Sequence, residues 1–278
     1  MIGYTPMLRA GAGNISLIDA LPDTTNLQLC VDVGDSASLA SSAANTSLLD
    51  LSPQGNDMEA GRLASADAED PVFSGTIGDQ SDAEYVFFDG VIDTTFSDQY
   101  RFATVPAWLD SFHQDGAAFA ILFCIYFEAT TGIFICGNSV TSPIRAGFRV
   151  FVDHTPSNFN LEINDTSNPP ALLASTNDLE IPVNSWMFCC VTLDETAGTG
   201  RFFINGQTET FTSTYTSPNA GAAPNLFAFG NNDYQHGASS PSQDTRFACA
   251  AMYEGRELTL QEILFIYENL FDRFNFGS

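Results

Sequence analysis

Short apolar runs separated by turn-forming residues dominate the chain from residue 84 onward. Some alternate cleanly: in the run that ends at Asp153, Phe148, Val150 and Val152 would face one side of a sheet, and Arg149 the other. Such runs at short intervals are typical of an antiparallel sandwich or barrel. The predicted strands are 27–33, 84–89, 101–105, 117–129, 132–136, 145–153, 158–164, 171–174, 185–194, 201–205, 208–212, 226–230 and 245–253.

Two local signals place a hairpin and a helix. Asn205-Gly206 lies between two short strands, and this dipeptide accepts the positive φ angles of a two-residue β-turn. Thr259 and Glu262 have the spacing of a capping box, so a helix is predicted to begin at about residue 259. Its apolar face is predicted to carry Ile263, Ile266, Tyr267, Leu270 and Phe271.

The organisation that follows is all-β: one antiparallel β-sandwich with one C-terminal helix and an N-terminal arm. Residues 1–25 carry little periodicity and are predicted to form the arm, and residues 26–278 the sandwich. Residues 34–78 are rich in Ser, Ala, Asp and Asn and are interpreted as a long connecting region. No internal repeat and no linker to a second domain is recognisable.

Charge narrows the range of partners. The chain has 34 acidic residues, nine arginines and no lysine, which gives a formal net charge of -25. Such a surface repels phosphate backbones and anionic membranes, so neither nucleic acid nor membrane is an expected partner. The acidity fits a saline environment, where salt screens self-repulsion; a compositional bias of the source lineage explains it equally well.

The apolar segments and the cysteines point to a soluble chain with free thiols. The run 117–127 is too short to cross a bilayer as a helix, and the first residues lack the pattern of an export signal. Six cysteines lie mostly within apolar strand-like runs, where a free thiol behaves as a small hydrophobe. No CxxC pair occurs, which argues against a zinc site.

An ordered set of motifs resembles the concanavalin A-like jelly roll of laminin G-like and pentraxin-like modules. The segment from Trp186 to Gln207 resembles a signature of the family. In that signature a Trp opens one strand, a polar turn follows, and a second strand ends in Asn-Gly. The run ending at Gly230 and the sequence RELTLQEI at 256–263 follow in the family's order. Upstream, LQLCVDVGDSASL, LLDLSPQGND and EYVFFDG resemble its opening. Met187-Phe188 replaces the family's usual His after the Trp, a position that is structural in the family.

The resemblance implies a jelly-roll fold that hosts both binding modules and glucanases. The glucanases use a Glu followed two residues later by an Asp on one strand, and none of the twelve Glu residues here has an Asp at that position. No catalytic residues are therefore assigned, and the chain is expected not to be an enzyme. A glycoside hydrolase or lyase of this fold is the least favoured hypothesis.

The binding candidates lie in a polar loop after residue 230. Its side chains can ligate calcium through oxygen or bind sugar hydroxyls, with an aromatic ring for stacking; a solvated turn is the favoured alternative. The candidates are Asn231, Asn232, Asp233, Tyr234 and His236. A second oxygen cluster, Asp89-Gly90 with Asp93, is also interpreted first as a turn. Calcium is the one ion these groups would suit, and no other cofactor is expected.

Two hypotheses about function follow from the resemblance. Laminin G-like modules occur in tailed-virus particles, which favours a virion decoration, fibre or tail-appendage subunit made in the host cytoplasm. Its partners would be copies of itself, other virion proteins and host surface glycans. The alternative is a free-standing carbohydrate-binding or adhesion module with its site in the loops at one end of the sandwich. Fold alone does not separate them.

Overall fold

Alternation of apolar and polar residues organises the described residues into two antiparallel sheets. The computed structural model describes residues 15–39, 46–61, 70–81, 84–88, 98–128, 133–139, 146–153, 158–166, 170–216, 218–230 and 245–276. The strands are β1 (Leu27–Asp32), β2 (Ser47–Leu48), β3 (Met58–Ala60), β4 (Val72–Ser74), β5 (Tyr85–Phe88), β6 (Tyr100–Arg101), β7 (Ala118–Phe127), β8 (Ile133–Gly137), β9 (Gly147–Val152), β10 (Phe159–Asn164), β11 (Leu172–Ser175), β12 (Trp186–Asp194), β13 (Thr199–Ile204), β14 (Gln207–Phe211), β15 (Ala228–Phe229) and β16 (Thr245–Glu254). The helices are α1 (Leu17–Ala20) and α2 (Leu260–Phe274), with a 3-10 helix at Ala107–Phe112.

The two sheets pack face to face, which confirms the predicted antiparallel sandwich. Sheet I has the strand order β14-β13-β12-β7-β16-β5-β4. The same edge of β16 pairs with β5 along its first residues, 245–247, and with β1 along residues 249–253. Sheet II has the order β11-β10-β9-β8-β15-β6-β3-β2. Strands that follow one another in sequence are often distant in the sheets, because the chain crosses repeatedly between the two layers, as in a jelly roll.

Two apolar cores hold the layers together. The main core lies between the sheets and is rich in phenylalanine; the rings of Phe112 and Phe119 stack at 4.4 Å between centroids. The second core lies on the outer face of sheet I, where α1 and α2 cover it. Ile263, Ile266 and Leu270 are buried there, as predicted for the apolar face of α2. Sheet I is therefore apolar on both faces.

The two local signals are confirmed in detail. Asn205 and Gly206 both have positive φ (45° and 86°) and join β13 to β14 in a hairpin. At the start of α2 the Glu262 amide donates to Thr259 Oγ1 (3.3 Å), and the Thr259 amide donates to the Glu262 carboxylate (2.8 Å). This reciprocal pair is the capping box, and it satisfies two amides of the first turn.

Two predictions for the first half of the chain differ from the structure. The strand predicted at 101–105 covers only Tyr100–Arg101, because the chain turns before Pro106 into the 3-10 helix. The segment 34–78 is more than a connection: β2, β3 and β4 lie within it and pair with other strands. Strands of two or three residues are too short to show a periodicity, so pairing with their neighbours decides their conformation.

The family-like segment around Asp50 folds into a turn fastened to β1. The Asp50 carboxylate accepts hydrogen bonds from the amides of Cys30 (2.8 Å) and Asn56 (2.8 Å). The Asn56 side-chain amide donates to the carbonyl of Gln28 (2.6 Å). Gly55 supplies the positive φ (69°) that the turn requires. The motif is therefore structural in this chain.

A buried ion pair joins the two ends of the chain. Nη1 and Nη2 of Arg273, on α2, donate to the two carboxylate oxygens of Asp32 at 2.6 and 2.8 Å, and both side chains are fully buried. Asp32 also accepts from the amides of Leu17 (2.8 Å) and Gly34 (3.0 Å), and Arg273 donates to the carbonyl of Ile15 (3.3 Å). Burial opposes the charge of Arg273, but Asp32 more than offsets it and raises the pKa of the guanidinium. Of the predicted arm, residues 15–20 are thus held against β1 and α2.

Arg273→Met is expected to lower the free energy of unfolding by about 3–5 kcal/mol, because it leaves Asp32 buried without a counter-charge. Urea denaturation followed by circular dichroism measures the loss. Arg246→Gln provides the control, since the side chains of Arg246 and its partner Glu128 (2.6 Å) are 29% and 42% exposed, and a pair open to solvent contributes up to about 1 kcal/mol. Equal losses in the two variants would contradict the role assigned to Asp32 and Arg273.

The six cysteines are free thiols and all are buried. Burial raises the pKa of Cys30, Cys124 and Cys189 well above the ordinary thiol value, and Cys136 and Cys190 are raised for the same reason. Cys124 and Cys249 are direct cross-strand partners in β7 and β16. A thiol with a raised pKa is a poor nucleophile at neutral pH.

The native protein is therefore expected to react with Ellman's reagent at none of its six thiols at pH 8, and at all six in denaturant. Burial excludes the reagent from all six thiols, and the raised pKa of the five named above keeps their thiolate fraction small at that pH. Absorbance during the reaction counts the thiols in each state. Fewer than six thiols in denaturant, without prior reduction, would show that a disulfide is present.

Candidate functional site

The polar loop predicted as a binding site cannot be placed. Asn231, Asn232, Asp233, Tyr234 and His236 lie outside the described residues, and so do Asp89, Gly90 and Asp93 of the second cluster. The residues that flank both segments are described and adjoin one another. The Gly230 amide donates to the carbonyl of Ile135 (2.8 Å), and a Cβ on Gly230 would come within 2.9 Å of the Asp98 carbonyl. Thr245 is the cross-strand partner of Phe88. The four flanking residues, Phe88, Asp98, Gly230 and Thr245, therefore lie close together.

The outer face of sheet II carries a row of charged residues at its centre. Cross-strand register aligns six residues on successive strands: Glu59, Arg101, Ala228, Gly137, Arg149 and Glu162. Each arginine is paired with the glutamate at its end of the row, at 3.0 Å for Arg101 and 2.6 Å for Arg149. Gly137 is required here, because a Cβ would lie 2.8 Å from the backbone of Arg149. The two ion pairs thus flank a strip that carries no large side chains.

Glu162 lies on a strand, as the catalytic Glu of the glucanase motif does, but its neighbours differ from those of that motif. One carboxylate oxygen accepts from Arg149 (2.6 Å) and the other from the side-chain amide of Asn164 (2.6 Å). Asn164 is the same-face residue two positions on, where the glucanase motif has Asp. Glycosidases need two carboxyl groups about 5–9.5 Å apart. Glu59, the other carboxylate of the row, is five strand spacings away, about 24 Å.

An open cleft with aromatic walls lies on the outer face of sheet I, beside the end of α2. Tyr85, Tyr126 and Trp186 project into it from β5, β7 and β12, and Arg246 projects from β16. Its volume is about 480 Å³, within the usual range of small-ligand sites. Its remaining lining residues are Ser74, Gly75, Asn184, Ser185, Phe274 and Asn275. We call it the aromatic cleft.

Strand alternation explains how these four side chains meet. Arg246 is the cross-strand partner of Tyr126, and Tyr126 is the cross-strand partner of Trp186. Tyr85 extends the group on β5, the strand on the other side of β16. The apolar neighbours of these residues in sequence point the other way, into the main core; they are Val86, Ile125, Phe127, Met187 and Phe247. The cleft is thus formed by four strands that are distant in sequence.

The helix determines where the cleft opens. Along most of the outer face of sheet I the apolar side of α2 covers the strands. The helix ends at Phe274, whose ring packs on Trp186 with 5.1 Å between centroids. Asn275 follows in the left-handed conformation (φ 47°), which ends the helix, and Phe276 packs back on Phe188 of β12 with 5.9 Å between ring centroids. The aromatic side chains beyond that point are left partly exposed.

The chemistry of the cleft combines rings, hydroxyls and one cation. Trp186 lies edge-on to Tyr126 and Tyr85, at 5.8 and 6.2 Å between ring centroids. Both tyrosines are half-buried, and their hydroxyls make no hydrogen bond within the described residues. Rings with adjacent hydrogen-bonding groups suit a ligand that presents apolar faces and hydroxyls together, as sugars do.

Sequence reasoning missed three of these residues and underestimated the fourth. Trp186 stands out in the family-like motif, and an apolar strand position favours a core residue; it is buried (7% exposed), yet it lines the cleft. Tyr126 and Arg246 lie inside long apolar strands, and Tyr85 lies in a short one. Their polar atoms at outward positions are the signal that was available. Without the strand order nothing in the sequence brings them together.

Two kinds of site are absent from the described part of the chain. No group of three or more His, Cys, Asp and Glu side chains lies there in an arrangement that could hold a metal ion. No helix among the described residues is long and apolar enough to cross a membrane.

Comparison by sequence identifies one family. The model of the laminin G-like family within the concanavalin A-like lectin/glucanases superfamily matches residues 96–264, well over half of the chain. No curated protein matches the sequence.

Comparison by structure finds the same fold in carbohydrate-related proteins. The binding domain of botulinum neurotoxin DC, in complex with SialylT, aligns with a TM-score of 0.60 and 11% identity over 89% of this chain and 52% of that one. Domain 4 of AbnA, an arabinanase from Geobacillus stearothermophilus in complex with arabinotriose, has a TM-score of 0.56 and 15% identity over 87% and 98%. The sialidase of Trypanosoma rangeli has a TM-score of 0.53 and 13% identity over 89% and 33%. The chain thus spans about half of the toxin domain and a third of the sialidase. At these identities the likeness concerns the fold alone.

Proposed function

The chain belongs to the concanavalin A-like lectin/glucanases superfamily, and we propose that it is a non-enzymatic module that binds glycans through the aromatic cleft. The observation that carries the proposal is the grouping of Tyr85, Tyr126 and Trp186 around an open volume of about 480 Å³. Structural neighbours in complex with arabinotriose and SialylT support carbohydrate as the ligand class.

The non-enzymatic part of the proposal is supported by the outer face of sheet II. There both oxygens of Glu162 accept hydrogen bonds, from Arg149 and Asn164, and the other carboxylate of the row is about 24 Å away. Hydrolysis by the usual two-carboxylate routes needs an acid and a second carboxylate close together. The sialidase among the structural neighbours makes a direct assay for hydrolysis necessary.

In a glycan-array screen we expect the wild-type protein to bind a defined set of oligosaccharides, and Tyr126→Ala to weaken binding about fivefold or more, because it removes a wall of the cleft. Affinities are then measured by tryptophan fluorescence in a Trp108→Phe background, where Trp186 is the single reporter. Chromatography after overnight incubation should recover the sugars intact.

Phe265→Ala is the matched control, because Phe265 is a partly exposed aromatic residue on α2 (36% exposed) that does not line the cleft. It should bind as the wild type does. An array without signals, in calcium and in EDTA alike, would refute the glycan-binding proposal. Binding that Tyr126→Ala leaves unchanged would move the site away from the cleft, with the loop at 231–236 as the next candidate.

The finer proposal places this module on a virion, as a decoration, fibre or tail-appendage subunit that contacts other copies of itself. The family resemblance and the acidic composition support it. Residues 15–20 are fastened to β1 and α2, so a truncation that tests the arm must end before residue 15.

Light scattering coupled to size exclusion, at low and high salt, is expected to show a trimer or larger ring for the full chain and monomers after deletion of residues 1–14. Identical copies of a coat or appendage subunit associate about a symmetry axis, and the arm would hold them together. A monomer under every condition would count against the virion role and leave the free-standing binding module. Mass spectrometry of purified particles from the source would then decide whether the chain is a virion component.

A further inference from the structure

Among the described residues that line the aromatic cleft, Arg246 has the only charged side chain. The chain has 34 acidic residues and nine basic ones, so a carboxylate is the more frequent charged group that a lining would carry. The side chain most suited to recognising a negative group therefore lies beside the aromatic rings of the cleft.

The guanidinium is held in a fixed position by two rings. Its central carbon lies 4.3 Å from the ring centroid of Tyr126 and 5.0 Å from that of Tyr85, so it sits between side chains of the two neighbouring strands. Contact of this kind with aromatic faces restrains the side chain before any ligand arrives. A restrained guanidinium loses less conformational entropy on binding than a free one.

Most of the hydrogen-bonding capacity of Arg246 is unused. Nη2 donates to Glu128 (2.6 Å), while Nε and Nη1 have no hydrogen-bond partner among the described residues. Glu128 is largely exposed, with 42% of its side chain accessible, so this ion pair is a weak surface interaction. A planar fork of N–H donors matches a carboxylate in two parallel hydrogen bonds.

We propose that the cleft selects glycans that carry a carboxylate group, with Arg246 binding the carboxylate while Tyr85, Tyr126 and Trp186 contact the sugar ring. This inference rests on the proposed function and narrows its ligand class to acidic sugars. A carboxylate is preferred to a sulfate ester because its planar pair of oxygens fits the guanidinium fork. Glu128 competes with the ligand for the same cation.

The test uses matched pairs of ligands and the full chain in the Trp108→Phe background. The probes are sialyllactose and a galacturonate disaccharide, each with its methyl ester, together with lactose and 3′-sulfated lactose. The wild-type cleft should bind each acid about tenfold more tightly than its ester, the difference expected for hydrogen bonds to a charged group. The ester retains the ring and hydroxyls, so it isolates the charge.

Three variants assign the selectivity to Arg246. Arg246→Gln should abolish the difference between acid and ester, and Arg246→Lys should restore part of it, because a lysine keeps the charge without the planar fork. Glu128→Gln should raise the affinity for the acids about two- to fivefold and leave the esters unchanged. Arg201→Gln is the control: Arg201 is a partly exposed arginine on β13 that does not line the cleft, and this variant should behave as the wild type does.

The outcomes separate the two proposals. Equal binding of acids, esters and lactose, insensitive to Arg246→Gln but lost in Tyr126→Ala, would overturn the acidic-sugar inference and leave the glycan-binding function intact. A preference for 3′-sulfated lactose over both carboxylates would overturn the assignment of the carboxylate. Failure of every sugar on the array and among these probes would refute the proposed function itself.

Discussion

The ion pair between Asp32 and Arg273 is the interaction on which the arrangement of the outer layer depends. It is fully buried, and Asp32 has no capacity to spare, because its oxygens also accept the amides of Leu17 and Gly34. Removing two charges from water is expensive, so the pair is stable only in this geometry. Gly34 is part of that geometry, since a Cβ there would meet Arg273 Nη2 at 2.5 Å. The pair therefore fixes the position of α2 on sheet I, while its net contribution to the free energy of unfolding is small because the desolvation of both charges opposes it.

That seating determines what the protein exposes. With Arg273 fixed, the helix ends at Phe274 against Trp186, and the strands beyond it are left open as the aromatic cleft. The outer face of sheet II differs, because its arginines are already matched by glutamates and its central strip is flat. Arg246 is paired more weakly, with an exposed glutamate. Among the described arginines that form ion pairs, it is the one placed at an open aromatic surface.

The sequence allowed the layers to be predicted but not the sites. Alternation revealed the long strands, and the capping box located the start of α2, because both signals are local. The short strands within 34–78 were not predicted, because segments such as Ser47–Leu48 are extended only through pairing with a neighbouring strand. The aromatic cleft was not predicted for a related reason: its four main residues come from four strands, and the order of those strands in the sheet does not follow from the sequence. Arg273 would be expected at the surface by residue type, and only the position of Asp32 explains its burial. The loop at 231–236 was selected by composition, and its placement stays a prediction.

The net charge and the proposed ligand class set limits on how this module can work. A charge of -25 repels an acidic sugar at long range, but salt screens that repulsion beyond about 8–10 Å, so recognition rests on contacts within the cleft. A single cleft of about 480 Å³ holds little more than one or two sugar rings and gives modest affinity. Several copies on one particle would convert modest affinity into firm attachment through effective concentration. In the proposed function, glycan binding and assembly into a multi-copy structure would therefore be complementary, because several copies would compensate for the modest affinity of one cleft.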